Sequence, residues 1–181
     1  MKLVAFDGDY TLWTPLSGLH LTDRTPADTV GTPDFRFTPL PDNPLTVRRD
    51  DGALFALRPE ADDVLAALRS AGILTAVASY NHLAPVRRAL DAFDLLSLLD
   101  YVVAEWHTDK DRMLARILAQ AAQDGHHVSP LEAMLVDDDP EGLYAAQCER
   151  IGARLVRFGH DIHDLREVLP LAGISPAETA R

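Results

Sequence analysis

The chain has 181 residues, of which 47% are apolar and 25% charged, a composition typical of one globular domain. Its formal charge of −11 argues against a general nucleic-acid or membrane-surface binder, because an acidic protein repels a phosphate polyanion. No apolar run approaches the roughly 18 residues of a membrane span, and the first residues lack the basic head of a secretory signal. The single cysteine, Cys148, excludes an internal disulfide and predicts a reducing, cytoplasmic location.

Short apolar runs of strand length alternate with segments of helical periodicity along most of the chain. The predicted strands are 3–6, 73–78, 101–104, 133–136 and 155–158. The predicted helices are 59–72, 83–93, 113–121, 143–151 and a last helix with Asp161 as its N-cap. Strands separated by helices predict an α/β protein of Rossmann-like, three-layer α/β/α architecture, in which the central sheet is mostly parallel.

Residues 14–57 break this alternation, since they contain six prolines and no helical period. Short strands are expected at 35–37, 45–48 and 53–57, the last two joined by a hairpin turn at Asp50-Asp51-Gly52. We interpret the segment as a small, irregular, flap-like insertion in a domain that spans residues 1–170. Residues 171–181, which begin after Pro170, are expected to form a frayed C-terminal tail.

Charged or polar residues lie where ligands bind in an open parallel sheet, at the carboxyl ends of the strands. Asp7 and Asp9 follow the first predicted strand, and Ser79 follows the second. Lys110 lies in the first turn of the third helix, and the acidic residues 137–139 follow the fourth strand. Each of these has an ordinary structural explanation by itself: a turn, a helix cap or a solvated charge. Their joint occurrence in this order indicates a site for a cation and a phosphate group.

The order of a D-x-D-x-T motif, a strand-end serine, a lysine and an acidic pair resembles the signature of the haloacid dehalogenase superfamily of phosphohydrolases. Within it, residues 9–13 followed by Pro15 and the flap-length insertion are similar to the magnesium-dependent phosphatase-one family. The chain departs from that pattern at Gly8, where a bulky apolar residue is usual, and at Tyr80, where Arg is common. Residues 137–142 also lack a common asparagine.

The resemblance implies a phosphomonoesterase in which Asp7 is the nucleophile and Asp9 the general acid and base. Ser79 and Lys110 would hold the phosphoryl oxygens as catalytic and phosphate-binding residues. Further substrate- or phosphate-binding positions are implied at Thr11, Tyr80 and Asn81.

The implied cofactor is Mg²⁺, held by the Asp7 carboxylate, the Asp9 backbone carbonyl and an acid of the pair Asp137 and Asp138. Asp138 is favoured as the metal ligand and Asp137 as the partner of Lys110, although the reverse assignment stays open. The substrate is expected to be a phosphorylated small molecule or a phosphoprotein, and the oligomeric state is left open.

Other functions share parts of this pattern. A phosphotransferase or phosphomutase uses the same intermediate, although a non-helical insertion would leave the site open to water and favour hydrolysis. A two-component receiver domain places its acidic pair after the first strand and its phosphoacceptor mid-chain, which fits poorly. A dehalogenase needs neither Mg²⁺ nor an acid at position 9. A non-catalytic phosphate-binding regulatory protein is the remaining alternative, although no catalytic position is lost.

Overall fold

The computed structural model describes residues 1–21, 34–139 and 141–175, and all structural statements concern these residues. In chain order the strands are β1 (Leu3–Phe6), β2 (Trp13–Pro15), β3 (Phe37–Leu40), β4 (Asn43–Arg49), β5 (Leu54–Leu57), β6 (Leu74–Tyr80), β7 (Tyr101–Glu105), β8 (Ala133–Asp137) and β9 (Arg154–Arg157). The helices are α1 (Ala61–Ser70), α2 (Leu83–Ala92), α3 (Lys110–Gln123), α4 (Tyr144–Ile151) and α5 (Val168–Ala172). No helix of these segments is long and apolar enough to cross a bilayer.

The central sheet has five parallel strands in the order β7-β6-β1-β8-β9. All five predicted core strands and the α/β architecture are therefore confirmed, with small shifts at the strand ends. The largest shift concerns Ser79, which was expected after a strand and instead lies within β6. Because β1 is central, the residue that follows it lies between two neighbouring strands at the carboxyl edge of the sheet.

Alternate residues of β1 face opposite sides of the sheet, as a pleated strand requires. Val4 and Phe6 pack in the core layer under α1, α2 and α5. Leu3 and Ala5 pack in the other layer, under α3 and α4. Two apolar layers separated by one buried sheet give the three-layer arrangement that the alternation of elements predicts.

The insertion is more regular than expected. Its strands form an antiparallel sheet in the order β2-β5-β4-β3, which packs through Val47, Phe55 and Leu57 on the core layer under α2. The predicted hairpin between β4 and β5 is present, with Gly52 at φ +95° in its turn. The described part of the flap-like insertion is therefore more regular than predicted, and the strand predicted at 35–37 lies instead at 37–40. Residues 22–33 of the insertion lie outside the described residues.

The C-terminal segment also differs from expectation. Asp161 does not begin a helix, and its carboxylate accepts a hydrogen bond from Arg157 N. The first helical turn begins later, at Leu165, and Asp164 caps it. Pro170 lies in the first turn of α5, where its missing N–H is not needed. Ile174 is buried, so the predicted fraying after Pro170 is wrong for residues 171–175. Residues 176–181 lie outside the described residues.

Candidate active site

The loop after β1 is a tight turn held by backbone hydrogen bonds. Asp7 N donates to Val136 O at 2.8 Å, which joins the start of the loop to β8. The carbonyl of Gly8 accepts from Leu12 N at 2.9 Å and from Trp13 N at 3.1 Å. The turn therefore folds the chain back so that residues 7, 9 and 13 lie around one point at the edge of the sheet.

Arg58 supports this loop from the segment between β5 and α1. Tyr10 has φ +63°, a left-handed conformation that costs energy for a residue with a side chain. Arg58 Nη2 donates to Tyr10 O at 2.9 Å and Nε donates to Thr11 O at 3.3 Å. The guanidinium of Arg58 also stacks on the ring of Phe158, 4.3 Å from its centroid. We infer that these contacts hold the strained turn in place.

Lys110 is the buried cation of the site and has three oxygen atoms close to its ammonium. Its Nζ lies 2.5 Å from Asp7 Oδ1, 2.9 Å from Asp137 Oδ2 and 2.6 Å from the backbone oxygen of Ala78. Burial alone would lower the pKa of Lys110, but the Asp7 and Asp137 carboxylates outweigh it and raise the pKa. Lys110 is therefore held charged between β1, β6 and β8.

Helix α4 fixes the end of α3 that carries Lys110. The side-chain oxygen of Gln147 accepts from Lys110 N at 2.6 Å, an N–H in the first turn of α3 that also donates to Thr108 O at 3.0 Å. The ring of Tyr144 lies 5.3 Å from the Lys110 ammonium. The sequence pattern shows the lysine but gives no signal for these two partners.

Asp9 is oriented by several donors. Trp13 Nε1 donates to Asp9 Oδ1 at 2.8 Å, and Asn81 Nδ2 donates to Oδ2 at 2.9 Å. Leu21 N lies 3.4 Å from the same oxygen and His20 Nδ1 lies 3.6 Å from it. Both carboxylate oxygens thus have partners in the protein, which fixes the direction of the side chain.

The glycine between the two aspartates has a steric cause. A Cβ at Gly8 would lie 2.4 Å from Cζ2 of Trp13 and 3.2 Å from Oγ of Ser79. Trp13 is completely buried, so its ring has no free space into which it could move. Gly8 lets the indole lie over the loop and reach Asp9, which explains the departure from the family pattern at this position.

One oxygen from each of Asp7, Asp137 and Asp138 lies within 4.8 Å of the others, an arrangement that suits a metal ion. Burial and the Asp7 charge raise the pKa of Asp137 to about 7 and that of Asp138 to about 6. Burial also raises the pKa of Asp7, although Lys110 opposes this. With Asp9 beside them, the carboxylates outnumber the one buried lysine, and oxygen ligands are those that Mg²⁺ prefers. The donor set therefore fits a hard divalent cation.

The two acids after β8 have different surroundings. Asp137 is buried, and its Oδ1 accepts a hydrogen bond from Asp139 N at 2.9 Å. Its Oδ2 lies 2.9 Å from the Lys110 ammonium in an ion pair but accepts no hydrogen bond from the described residues. Asp138 is partly exposed. Asp139 accepts from Leu143 N at 2.7 Å and so helps to hold the turn that precedes α4. This geometry fits Asp137 as the lysine partner and leaves Asp138 for a metal, but both roles stay predictions.

The structure brings most of the predicted site residues together, although their roles stay predictions. Asn81 donates to Asp9 and to Ser79 Oγ, the latter at 3.1 Å. It therefore orients the Asp9 side chain, a role beyond the predicted phosphate binding. Thr11 Oγ1 is buried and has no hydrogen-bond partner in the part of the chain that the structure describes. Tyr80 is 41% exposed, whereas its neighbours Ser79 and Asn81 are buried. Sequence reasoning missed Trp13, Arg58 and Gln147.

Comparison of the sequence with known proteins finds one matching family. The family model for the haloacid dehalogenase-like hydrolases matches residues 42–148, which include Ser79, Lys110 and the acidic pair but not Asp7 or Asp9. No protein with a curated description matches the sequence.

Several solved structures share the fold. A protein from Listeria monocytogenes serotype 4b is 19% identical with a TM-score of 0.61, and the match covers 96% of this chain and 99% of that one. The N-terminal part of a Bacteroides fragilis protein, described as containing a phosphatase domain complexed with Mg, is 15% identical with a TM-score of 0.59 and covers 96% and 40%. A hydrolase of the same superfamily from Geobacter sulfurreducens is 18% identical with a TM-score of 0.55 and covers 66% and 57%.

Dehalogenases are also among the similar structures. The match spans 57% of the length of the Geobacter protein and of the first dehalogenase. At these identities the likeness concerns the fold alone. The family model, however, covers more than half of the 181 residues and includes three of the four strand-end positions. The chain therefore belongs to the haloacid dehalogenase-like hydrolases.

Proposed function

We propose that this hydrolase cleaves phosphomonoesters with Mg²⁺ as its cofactor, through an aspartyl-phosphate formed on Asp7. The observation that carries the proposal is the pairing of buried Lys110 with Asp7 and Asp137 beside a third carboxylate, Asp138. Such an excess of negative charge is costly unless a cation binds there, and a bound cation makes the site attractive to a phosphate dianion.

In the first step, a carboxylate oxygen of Asp7 attacks the phosphorus in line. The new oxygen–phosphorus bond forms as the bond from phosphorus to the leaving oxygen breaks, and Asp9 donates its proton to that leaving oxygen. Lys110 binds Asp7 Oδ1 at 2.5 Å, so we assign the attack to Oδ2. The hydrogen bonds from Trp13 and Asn81 support Asp9 in this role, because they fix the direction of the acid.

In the second step, Asp9 takes a proton from a water molecule whose oxygen attacks the phosphorus. The bond between phosphorus and Asp7 breaks, which regenerates the Asp7 carboxylate and releases inorganic phosphate. Ser79 Oγ and the Lys110 ammonium lie beside the nucleophile and are suited to hold the equatorial phosphoryl oxygens.

Asp7, Asp138 and the backbone carbonyl of Asp9 would hold the metal, with Asp137 left as the partner of Lys110. When bound, Mg²⁺ reduces the repulsion between the carboxylates and the incoming phosphate and stabilises charge on the phosphoryl oxygens. Asp9 also distinguishes this reaction from dehalogenation, which needs no acid at that position. The substrate class, a phosphorylated small molecule or a phosphoprotein, is part of the proposal.

A phosphate-release screen over phosphomonoesters tests the proposal. Purified wild type is compared with Asp7→Asn, each with EDTA and with Mg²⁺ added back. Glu149→Gln, an exposed carboxylate on α4, is the control for loss of a charge elsewhere. We expect release that needs Mg²⁺ and is abolished in Asp7→Asn only. Release that survives EDTA or the Asp7 change contradicts the mechanism, and halide release from a 2-haloacid without phosphate release contradicts the function.

A further inference from the structure

Three rings lie in contact beyond the polar site, and we call Tyr80, His82 and Trp106 the aromatic platform. The ring of His82 stacks on Trp106 with centroids 4.7 Å apart and planes 4° from parallel. The ring of Tyr80 lies 4.9 Å from Trp106 at an angle of 47°. The platform is built from the end of β6, the residue before α2 and the residue after β7.

The platform is open to solvent although its members contact each other. Trp106 is 53% exposed and Tyr80 is 41% exposed, and Leu83 beside them in sequence is 44% exposed. Single exposed apolar residues are common, but adjacent aromatic side chains left open next to a polar site are typical of a binding surface. The contacts among the three rings leave about half of the Trp106 side chain exposed to solvent.

The loop that carries Trp106 is fixed by its own contacts. His107 Nε2 lies 2.6 Å from Glu105 Oε2, and His107 Nδ1 accepts from Asp109 N at 3.1 Å. Glu105 also pairs with Arg116 on α3, which offsets its charge next to the platform. These contacts hold the loop that carries Trp106 in place, so binding of a ligand ring would cost little conformational entropy of that loop.

The position of the platform relative to Asp7 determines which ligand it suits. Tyr80 lies between Ser79 and Asn81 in the chain, so the backbone that carries the platform adjoins the polar site, although the Tyr80 side chain is exposed and the two neighbours are buried. Strand β7 is separated from β1 by β6, which puts Trp106 about 10 Å across the sheet from Asp7. Along the strand direction, Trp106 lies about three residues beyond Asp7. Phe6 pairs with Val77, so Asp7 is level with position 78 of β6, whereas Glu105 pairs with Tyr80, so Trp106 is level with position 81. A ligand whose ring is bonded directly to the phosphate oxygen is too short to reach from Asp7 to Trp106, whereas a ligand whose ring is carried on a sugar is long enough.

We propose that the aromatic platform binds the base of a nucleoside 5′-monophosphate whose phosphate lies at Asp7 and Lys110. Every base has a flat π-face that stacks on aromatic side chains, and the ribose supplies the spacing. The formal charge of −11 favours a monophosphate over a polyphosphate or a polynucleotide. The phosphate end of this inference rests on the proposed function, whereas the base end rests on the platform alone.

A matched pair of substrates isolates the base. Adenosine 5′-monophosphate and ribose 5-phosphate differ by the ring, so the ratio of their kcat/KM values measures its contribution. We expect Trp106→Ala to raise KM for the nucleotide about tenfold and to leave that for ribose 5-phosphate unchanged. Leu131→Ala, an exposed residue just before β8 at the opposite edge of the sheet, is the control. Equal KM changes for both substrates, or none for either, overturn the inference.

Phenyl phosphate tests the spacing. Its ring is bonded directly to the ester oxygen, so its KM is expected to be insensitive to Trp106→Ala. An increase as large as that for the nucleotide shows that the platform holds a directly attached ring and overturns the nucleotide assignment.

A binding measurement separates this inference from the proposed function. Trp13 and Trp106 are the two tryptophans of the chain, and only Trp106 is exposed. Adenosine 5′-monophosphate is expected to quench the fluorescence of Asp7→Asn protein in a saturable manner, whereas ribose 5-phosphate is not. The quenching should disappear when Trp106→Phe is added. If this quenching occurs but no substrate is hydrolysed, the proposed function is wrong and the nucleotide-binding inference is supported. If phosphate is released but no quenching occurs, the proposed function is supported and the nucleotide-binding inference is wrong.

Discussion

The indole nitrogen of Trp13, the first residue of β2, donates a 2.8 Å hydrogen bond to Oδ1 of Asp9, four residues earlier in the chain. Trp13→Phe removes this donor and keeps an aromatic ring in a fully buried position. We expect kcat to fall at least about tenfold with KM almost unchanged, because the acid–base group loses part of its orientation. Steady-state kinetics over a range of pH values measure both parameters.

Phe93→Leu is the matched control for Trp13→Phe. Phe93 stacks on the Trp13 ring, with centroids 6.2 Å apart, so its truncation loosens the same packing and spares the hydrogen bond. We expect it to lower stability while kcat and its pH profile stay close to wild type. An equal loss of kcat in the two variants shows that ring packing, and not orientation of Asp9, sets the turnover.

A double-mutant cycle tests whether the Trp13 ring is the reason that position 8 requires a glycine. In Gly8→Ala the new methyl group would lie 2.4 to 2.5 Å from Cζ2 and Cη2 of Trp13, two atoms of the six-membered ring. We expect a loss of about 1–3 kcal/mol in the free energy of unfolding, together with lower kcat. Trp13→Phe removes both clashing atoms, so the double variant should be destabilised by less than the sum of the single changes. Chemical denaturation of the four proteins measures the coupling.

Gly52→Ala separates steric conflict from backbone strain. Gly52 has φ +95° and open space around it, so its substitution costs stability through the backbone. We expect kcat to be retained there, because the turn lies in the hairpin between β4 and β5 and not in the loop after β1. Strict additivity of Gly8→Ala and Trp13→Phe is the result that contradicts the steric explanation.

The central sheet could be predicted from the sequence because each core strand is a continuous apolar run and each helix has an apolar face. The antiparallel sheet could not be predicted to the same extent. Its strands contain Pro15, Pro39 and Pro44, which locally disfavour a strand, and pairing of β2 with β5 joins residues about 40 positions apart. Proline is tolerated in β3 because it is an edge strand of the sheet.

The chemistry-bearing residues of the site could be predicted for a similar reason. Asp7, Ser79 and the acid pair follow or end strands of one parallel sheet, so topology alone brings them together. The residues that orient them act through tertiary contacts that leave no periodic signal. Gln147 reaches Lys110 from a different helix, and Arg58 reaches the loop from the end of another strand. Trp13 is the exception, since its spacing from Asp9 is visible in the sequence.

Lys110 and Lys2 are the two lysines of the chain and make a natural comparison. Lys110→Met leaves the buried Asp7 and Asp137 carboxylates without their cation, so we expect a loss of about 3–5 kcal/mol in metal-free protein. Lys2 pairs with Glu132 at 3.0 Å on the surface, and Lys2→Met should cost less than about 1 kcal/mol. Urea denaturation in EDTA measures both changes.

Activity distinguishes the two lysines further. Phosphate release should be lost in Lys110→Met and kept in Lys2→Met, since Lys110 is proposed to bind the phosphoryl group. Added Mg²⁺ should recover part of the stability of Lys110→Met, because a second cation among the carboxylates offsets some repulsion. A Lys110→Met protein as stable as wild type in EDTA would show that the buried charges are not coupled as the distances imply.

Asp138→Asn is expected to stabilise the metal-free protein in a pH-dependent way. The pKa of Asp138 is raised from 3.8 to about 6 in the folded state, first by burial and then by the Asp7 charge. A rise of this size corresponds to about 3 kcal/mol, which solvent screening of the partly exposed side chain reduces to about 1–2 kcal/mol. A raised carboxyl pKa destabilises the folded state above that pKa, and the effect vanishes below the unfolded value. The advantage of Asp138→Asn should therefore be full at pH 8, shrink between pH 6 and 4, and be absent below.

Saturating Mg²⁺ should reverse this order at pH 8, because wild type gains stability from the bound ion and Asp138→Asn gains less. Denaturant titrations at several pH values, with EDTA or with Mg²⁺, test the prediction, and Glu149→Gln controls for the loss of a surface charge. An Asp138→Asn protein that is less stable than wild type in EDTA at pH 8 contradicts the proposed repulsion. Equal stabilisation of both proteins by Mg²⁺ shows that Asp138 is not a ligand, which assigns the metal to Asp7 and Asp137 instead.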